Sequence, residues 1–514
     1  MCGIHFTSSS SSANGKAAIG RISHRGPDAQ NTVVTPAGVL SHARLCVVGK
    51  DDAAAAAKQP YRSGNTAFLS VNGEIYNCKG LAKGLGMGAL DSDCDVLLPL
   101  FQTFAPTVAC QKIDGIFALV FVGKTRGGTP GKTRVVAARG AVGVNPLYYR
   151  QDDAIEFASE RKAMMEDGKA PPKIFPPGHV CVDGVFSRWY NPVYRDLSLP
   201  PVAYDPTTLK RLLTEAVGKR TMATAEYGLL LSGGLDSTLI ASLAVASRAP
   251  GAEPLKSFSI GLRGSPDLKV AKKVAQWLGT DHHEYVFTVE EGLEALPEVV
   301  RSVETLDPTT IRAGTPMYLI MQRIRRDTSV KMLLSGEGSD EIFAGYLYFH
   351  EAPNETALAR ECLNKVEAIH RYDCQRANMT SMAHGIEVRC PFLDLDLLDY
   401  AMRLPNRRPK EGVEKWALRH AFDGDVPGEF LWRQKEQFSD GVGYAWIDSV
   451  KAHARSKFPD PGSYDSSEQA LLASHLKSPG SLPRDSWNPV FQSNKDASGR
   501  VAQAHCAVKI KKKE

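Results

Sequence analysis

Hydrophobic and polar positions follow two different rhythms along this chain, and the change between them falls near residue 200. Up to residue 190 the apolar positions come in short runs of strand character: "GVLSHARLCVV", "TAFLSVNGEIYN", "IFALVFVG", "TRVVAARG", "NPLYYR", "AIEFASE" and "HVCVDGVFSRWY". Gly, Asp and Asn punctuate them, which predicts an antiparallel, sheet-rich domain over residues 2–190. Two stretches there hold neither period. "TSSSSSSANG" reads as a flexible loop, and "DDAAAAAKQP" as a weakly specified segment.

Prolines crowd residues 191–208, "NPVYRDLSLPPVAYDPTT", which read as a linker. Beyond it, strand-like runs alternate with amphipathic helical text: "YGLLLSGG" then "LDSTLIASLAVAS", "LKSFSIGL" then "DLKVAKKVAQWLG", "HHEYVFT" then "EGLEALPEVVRSVET". That alternation predicts an α/β domain with a parallel sheet and crossover helices over residues 209–504. Further helical text spans 313–326, 355–384 and 414–422. The basic tail, 505–514, ends in "KIKKKE" and reads as solvated.

Composition narrows the classes. The 514 residues allow two or three domains, and 43% hydrophobic with 23% charged residues is ordinary for globular protein. A formal charge of +5 gives no warrant for nucleic acid or an anionic membrane as the main partner. No stretch approaches the roughly 18–20 apolar residues of a membrane helix, and no basic-then-apolar leader opens the chain, so a cytosolic protein is expected. The ten cysteines are scattered without C-x-x-C pairs, which fits reduced thiols.

The second half carries phosphate chemistry. "LLLSGGLDS" (229–237) is an apolar strand, a glycine turn and a helix start, with Asp236 and Ser237 in the first helical turn. Adjacent glycines let backbone N–H groups approach an anion, and the helix terminus adds partial positive charge. It is not a Walker loop, since G-x-x-x-x-G-K-[ST] occurs nowhere. "VKMLLSGEGSDEIFAGY" (330–346) repeats the grammar, with Glu337, Asp340 and Glu341 crowded into the turn. Carboxylates beside a phosphate site call for a cation, and Mg²⁺ is held by one or two carboxylates plus phosphate oxygens; Asp236 and Asp340 are the candidate ligands. Thr309, Thr310 and Arg312 in "DPTTIRAGTPMYL", and Lys435 in "LWRQKEQFSDGVGY", are candidate contacts for a carboxylate, a phosphate or a departing pyrophosphate.

The first half carries nucleophilic chemistry. Cys2 follows Met1, whose removal would leave a thiol and a free α-amine on one residue. An α-amine of pKa about 7.7–8.0 is roughly one-seventh neutral at pH 7 and can take the thiol's proton. A tetrahedral oxyanion could be met by Asn72 and the N–H of Gly73, a substrate α-carboxylate by Arg44, and its α-ammonium by Glu74 and Asp93.

These strings, with "RHAF", "RCPFLD" and "LWRQKEQFSDGVGY", resemble the B-type, glutamine-dependent asparagine synthetases from MCGI to the SDG near 441 and more weakly beyond. The resemblance implies a class II glutaminase of the N-terminal-nucleophile hydrolase fold, α+β with sandwiched antiparallel sheets, followed by an α/β ATP-pyrophosphatase-type domain. It implies glutamine, aspartate and ATP as substrates, Mg²⁺ with ATP, internal ammonia transfer, a β-aspartyl-AMP intermediate and a homodimer. Glutamine contacts fall on Arg44, Asn72, Gly73, Glu74 and Asp93. Nucleotide contacts fall on Leu231, Ser232, Gly233, Gly234, Leu235, Asp236, Ser237, Ile260, Ser335 and Gly336. Glu337 falls where the intermediate and ammonia are managed, Arg312 and Lys435 where pyrophosphate departure is stabilised. Three positions depart from the family pattern: no aspartate follows "RLCVV", Gly140 stands where an aspartate follows the arginine, and Asp95 replaces a glutamate. Another amide-forming ligase with a different carboxylate substrate, and a non-enzymatic descendant, are the alternative readings.

Overall fold

A computed structural model describes residues 1–485 apart from 10, 50–58, 129–130, 166–167, 406, 408–412, 434–443, 477–479 and 481. "DDAAAAAKQP" lies almost wholly outside the described residues, and the tail 505–514 entirely so.

Two six-stranded antiparallel sheets form the first half. One runs, edge to edge, Lys173–Ile174, Tyr148–Gln151, Ile155–Ala158, Gly3–Thr7, Gly38–Arg44, Ala29–Thr35; the other Val185–Arg188, His179–Val182, Arg134–Arg139, Gly115–Gly123, Ala67–Ile75, Tyr61–Ser63. Alternation along a strand sends neighbours to opposite faces. In Gly115–Gly123, Ala118, Val120 and Val122 join Ile4, Phe6, Leu40 and Phe157 between the sheets, while Leu119 and Phe121 pack with Leu97 and Phe101 of the helix Leu97–Thr103. Burial on both faces is why "IFALVFVG" reads as one continuous apolar run rather than an alternating one. The hairpin in "HVCVDGVFSRWY" turns on Asp183 and Gly184, both at positive φ (50° and 89°), the conformation a two-residue hairpin turn demands.

The serine run is a correction. Ser11 caps the helix Ser12–Arg21 by accepting the N–H of Asn14, and Ala18 and Ile19 are buried beneath it. Ile19 shares its core with Ala43 of the neighbouring strand. The low apolar content hid a helix held by one cap and one narrow buried stripe.

Five parallel strands form the second half, in the order Asp281–Phe287, Lys256–Leu262, Tyr227–Leu230, Met332–Leu334, Glu387–Arg389. The chain builds outward from Tyr227–Leu230 on one side, then returns to build on the other. The segments leaving Tyr227–Leu230 and Met332–Leu334 therefore diverge, and the crevice between them at the strands' carboxyl ends is where open α/β sheets take ligands. Those segments are the two glycine turns singled out in the sequence.

Candidate active sites

At that crevice, the first turn is fixed by sterics and small hydrogen bonds. Gly233 has φ 77°, and a Cβ there would lie 2.6 Å from the nitrogen of Ala271. Ser232 Oγ accepts the Gly234 N–H at 3.3 Å, and Ser237 Oγ donates to the Gly234 carbonyl at 3.1 Å, opening the helix Leu235–Ala246. The second turn closes against it: Ser339 Oγ donates to Asp236 Oδ1 at 2.7 Å, and a Cβ at Gly336 would meet the Asp236 Cβ at 2.9 Å.

Between the turns is a cavity of about 210 Å³. Leu231, Ser232, Gly234, Leu235, Asp236, Ser237, Ile260, Thr309, Thr310, Ser335, Gly336, Glu337 and Asp340 line it, so most of the residues expected at a nucleotide and aspartate site meet at one place. Gly233 shapes the turn without lining the cavity.

Charge in the cavity is paired. Glu337 accepts Arg376 Nη2 at 2.7 Å, and Arg376 Nη1 lies 2.5 Å from Asp373. Burial raises the Glu337 pKa against the pull of Arg376. Glu341 stands well above the usual carboxylate range through burial and the adjacent Asp373 and Asp340. Lys415 Nζ lies 2.6 Å from Asp236 Oδ2 and 2.5 Å from Asp340 Oδ1. Among the described residues no group of three or more His, Cys, Asp or Glu is disposed to hold a metal. Two carboxylates facing a phosphate cradle are nonetheless a donor set that suits Mg²⁺, whose remaining ligands are phosphate oxygens and water.

The second site lies in the first half, a cavity of about 40 Å³ bordered by Met1, Cys2, Arg44, Gly73, Glu74 and Asp93. Asn72 Oδ1 accepts the Cys2 N–H at 2.8 Å, and Asn72 Nδ2, fully buried, has no hydrogen-bond partner among the described residues. A buried donor left unpaired is costly in a folded protein. A Cβ at Gly73 would lie 2.2 Å from the Ile116 carbonyl oxygen, so the strand tolerates only glycine there. Asp93 Oδ2 accepts the Ile75 N–H at 2.7 Å, and burial lifts its pKa despite that bond.

With Met1 in place the Cys2 nitrogen is an amide, and burial pushes the Cys2 thiol pKa up. The Met1 amine forms an ion pair with Glu387; burial lowers the amine's pKa, but Glu387, Cys2 and Glu74 outweigh it and the net direction is up. Arg389 bridges Glu387, at 2.5 Å, to Glu74, at 3.0 Å, and so ties the edge of the parallel sheet to the Cys2 cavity.

A glutamine amidotransferase domain model matches residues 1–178, and an asparagine synthase model matches 208–357 and 351–494. The asparagine synthetase (glutamine-hydrolyzing) of Sandersonia aurantiaca is 44% identical over 456 residues, 84% of this chain and 84% of that protein. Those of Brassica oleracea (43%; 86% of this chain, 77% of that one) and Arabidopsis thaliana, number 3 (44%; 84% and 77%), are similar to the same extent. This chain belongs to the glutamine-hydrolysing asparagine synthetase family.

Against that family background, one expected residue falls elsewhere. Arg312 lies on the helix Pro308–Asp327, whose period turns Thr309, Thr310, Ala313 and Met317 to the cavity and Arg312 away from it. Its Nε donates to Glu468 Oε1 at 2.7 Å and its Nη2 to Glu468 Oε2, a bidentate pair, and its carbonyl accepts Trp446 Nε1 at 2.8 Å. Arg312 thus ties two helices together here, outside the lining of the cavity. Lys435 lies outside the described residues.

Lys415, Arg376, Asp373 and Arg433 line the cavity without having been singled out in the sequence. The i, i+3 spacing of Asp373 and Arg376 on one helix was a signal available for that pair. Lys415 has no such signal, since its backbone is left-handed (φ 55°) and its partners are 179 and 75 positions away.

The three departures from the family pattern each have a local account. Gly49 follows "RLCVV" at φ 110°, where a Cβ would lie 2.7 Å from the Asp91 carbonyl oxygen. Beside Gly140, Arg139 donates to the carbonyls of Asn145, Phe175 and Gly143, which occupy its guanidinium without an adjacent aspartate. Asp95 Oδ2 accepts the N–H of Ser92 at 3.1 Å in a capping box, the task a glutamate usually has.

Proposed function

We propose that this chain makes L-asparagine from L-aspartate, ATP and glutamine, releasing glutamate, AMP and pyrophosphate. The observation that carries the reading is the meeting of the two glycine turns, 232–237 and 335–338, over one cavity that also holds Asp236, Asp340, Glu337 and the helix face of Thr309 and Thr310.

In the first half, the Cys2 sulfur, deprotonated by its own amine once the bond to Met1 is cut, attacks the glutamine Cδ. The oxyanion is met by Asn72 Nδ2, which has no hydrogen-bond partner among the described residues, and by the Gly73 N–H. Ammonia leaves, and water cleaves the thioester to glutamate. Arg44 binds the glutamine α-carboxylate; Glu74 and Asp93 bind its α-ammonium.

In the second half the turn 232–237 cradles the phosphates, with Leu231, Ile260, Ser335 and Gly336 against the nucleotide. The aspartate β-carboxylate attacks the α-phosphorus and pyrophosphate leaves; ammonia then attacks the activated β-carbonyl carbon and AMP leaves. Asp236 and Asp340 would hold Mg²⁺, which would supply neutralising charge for the phosphates. Glu337, held by Arg376, faces the acyl group and is positioned to accept a proton from the incoming nitrogen. Thr309 and Thr310 border the aspartate, and Lys435 is assigned to the departing pyrophosphate.

We place the glutaminase domain at 2–190, the linker at 191–208 and the synthetase domain at 209–504, with 505–514 as a tail. The enzyme is assigned to the cytosol, which the nine cysteines outside any disulfide among the described residues suit, and to a homodimer, which light scattering would test.

The deciding experiment is product analysis by mass spectrometry with ATP, Mg²⁺, aspartate and amide-¹⁵N glutamine. Labelled asparagine with AMP is expected from the native chain, and asparagine from Cys2→Ala only with added ammonium. Intact ATP, or AMP formed without asparagine, would exclude aspartate as the acceptor.

A further inference from the structure

Lys415 is built into the synthetase cavity with more care than a stray cation needs. Its side chain is 2% exposed, its ammonium lies within 2.6 Å of both Asp236 and Asp340, and its backbone adopts a left-handed conformation directly before the helix Trp416–Ala421. The neighbouring Glu414 gives it no counter-charge, being paired with Arg419. Room for the contact is supplied from across the cavity by Gly345: a Cβ there would lie 2.0 Å from Lys415 Cε and 2.1 Å from Asp340 Oδ1.

We propose that Lys415 is a tethered counter-cation that pairs with the two carboxylates and yields them to a divalent ion only when a polyphosphate arrives with it. This rests on the reading of Asp236 and Asp340 given above. A bare divalent ion competing for the pair would leave a buried ammonium without a counter-charge, which is strongly unfavourable. A metal entering with pyrophosphate, or with the β- and γ-phosphates of ATP, brings oxygens to which the ammonium can transfer. Metal and phosphate binding are thereby coupled, each raising the affinity for the other by the same factor. Lys415 is a positioning residue for the two carboxylates and becomes a phosphate contact when they take the metal.

The test is a titration of the full chain with Mn²⁺, followed by electron paramagnetic resonance, with and without inorganic pyrophosphate. In the native chain pyrophosphate is expected to tighten Mn²⁺ binding by about tenfold or more, the scale of one unit charge at contact distance in a partly screened site. In Lys415→Met, Mn²⁺ alone should bind about tenfold tighter than to the native chain, and the effect of pyrophosphate should shrink by the same factor. Lys415→Arg, which keeps the charge, should behave as the native chain does. Adding Asp236→Asn and Asp340→Asn to Lys415→Met should abolish the gain. Mn²⁺ affinity in Lys415→Met equal to or weaker than native, or a gain that survives loss of both aspartates, overturns the proposal. Glutamine hydrolysis at Cys2 reports that each variant is folded. Should Lys415→Met fail to fold, the native titration decides alone: equal Mn²⁺ affinity with and without pyrophosphate overturns it. A chain that makes asparagine but shows no coupling refutes only this proposal; one that shows the coupling but uses another acceptor refutes only the assignment of aspartate.

Discussion

Gly345 and Asn72 show how much a single position decides. Alanine at 345 would place its Cβ inside contact distance of both Lys415 and Asp340, so one of the two must move. Since a misplacement of about 1 Å at a reacting centre costs on the order of 10²-fold, Gly345→Ala should slow ATP–pyrophosphate exchange by about that much, with glutamine hydrolysis unchanged. Asn72→Ala removes a side-chain oxyanion donor and should lower kcat for glutamine hydrolysis by about 10²–10³-fold while ammonia-dependent synthesis continues. Positions that follow from residue type and local spacing, such as Cys2, Asn72, Asp236 and the glycine turns, were legible in the sequence. Lys415 was not, because what places it is a left-handed backbone and a space opened by a glycine 70 positions earlier.

A helix, in turn, decides which of its residues reach a site. Pro308–Asp327 starts at Asp307, which accepts the N–H of Thr310 at 2.9 Å and so fixes the first turn that carries Thr309 and Thr310. The sequence showed that this segment bears two hydroxyls and a cation. Which face meets the cavity depended on a partner 156 residues away, Glu468 of the helix Ser467–Ser474. Arg312→Ala should therefore act on stability: loss of one member of a largely buried pair costs about 3–5 kcal/mol. A clear fall in Tm, reproduced in part by Glu468→Ala and not added to in the double variant, is the expected result. Strands were read well where both faces are buried or a turn is chemically explicit, as at Asp183–Gly184. The helix Ser12–Arg21 escaped notice because its signal is a serine cap and two or three small apolar contacts.

Across the whole molecule, charged residues join the two halves. Arg25 donates to the Cys2 carbonyl at 3.0 Å, to Glu160 at 2.8 Å and to Asn378 Oδ1 at 2.8 Å, linking the nucleophile's backbone to the helix Asp373–Met382 that also carries Arg376. Arg25→Ala should loosen that link, and the ratio of glutamate released to asparagine formed should rise above one. The fold also has an acid-sensitive point. Burial, with Arg44 nearby, holds His42 down at about 3, against an ordinary value of 6.5. Between those values the unfolded chain binds the proton and the folded chain does not, so stability falls with falling pH, by up to about 1.4 kcal/mol per unit. His42→Asn should flatten the dependence of Tm on pH below 6.5.

The burial of Met1 sets a deadline. Its amine rests on Glu387 and its thioether against Asn378, and only 1% of it is exposed, so no peptidase can reach the bond to Cys2 once the halves have closed. Both partners emerge from the ribosome nearly four hundred residues after that bond, an interval of roughly 20 to 80 s at ordinary synthesis rates. Trimming has to happen within it, on the nascent chain. A molecule that misses the interval is expected to keep Met1 and to depend on free ammonium for synthesis, which intact-mass measurement beside a glutamine-dependence assay would check.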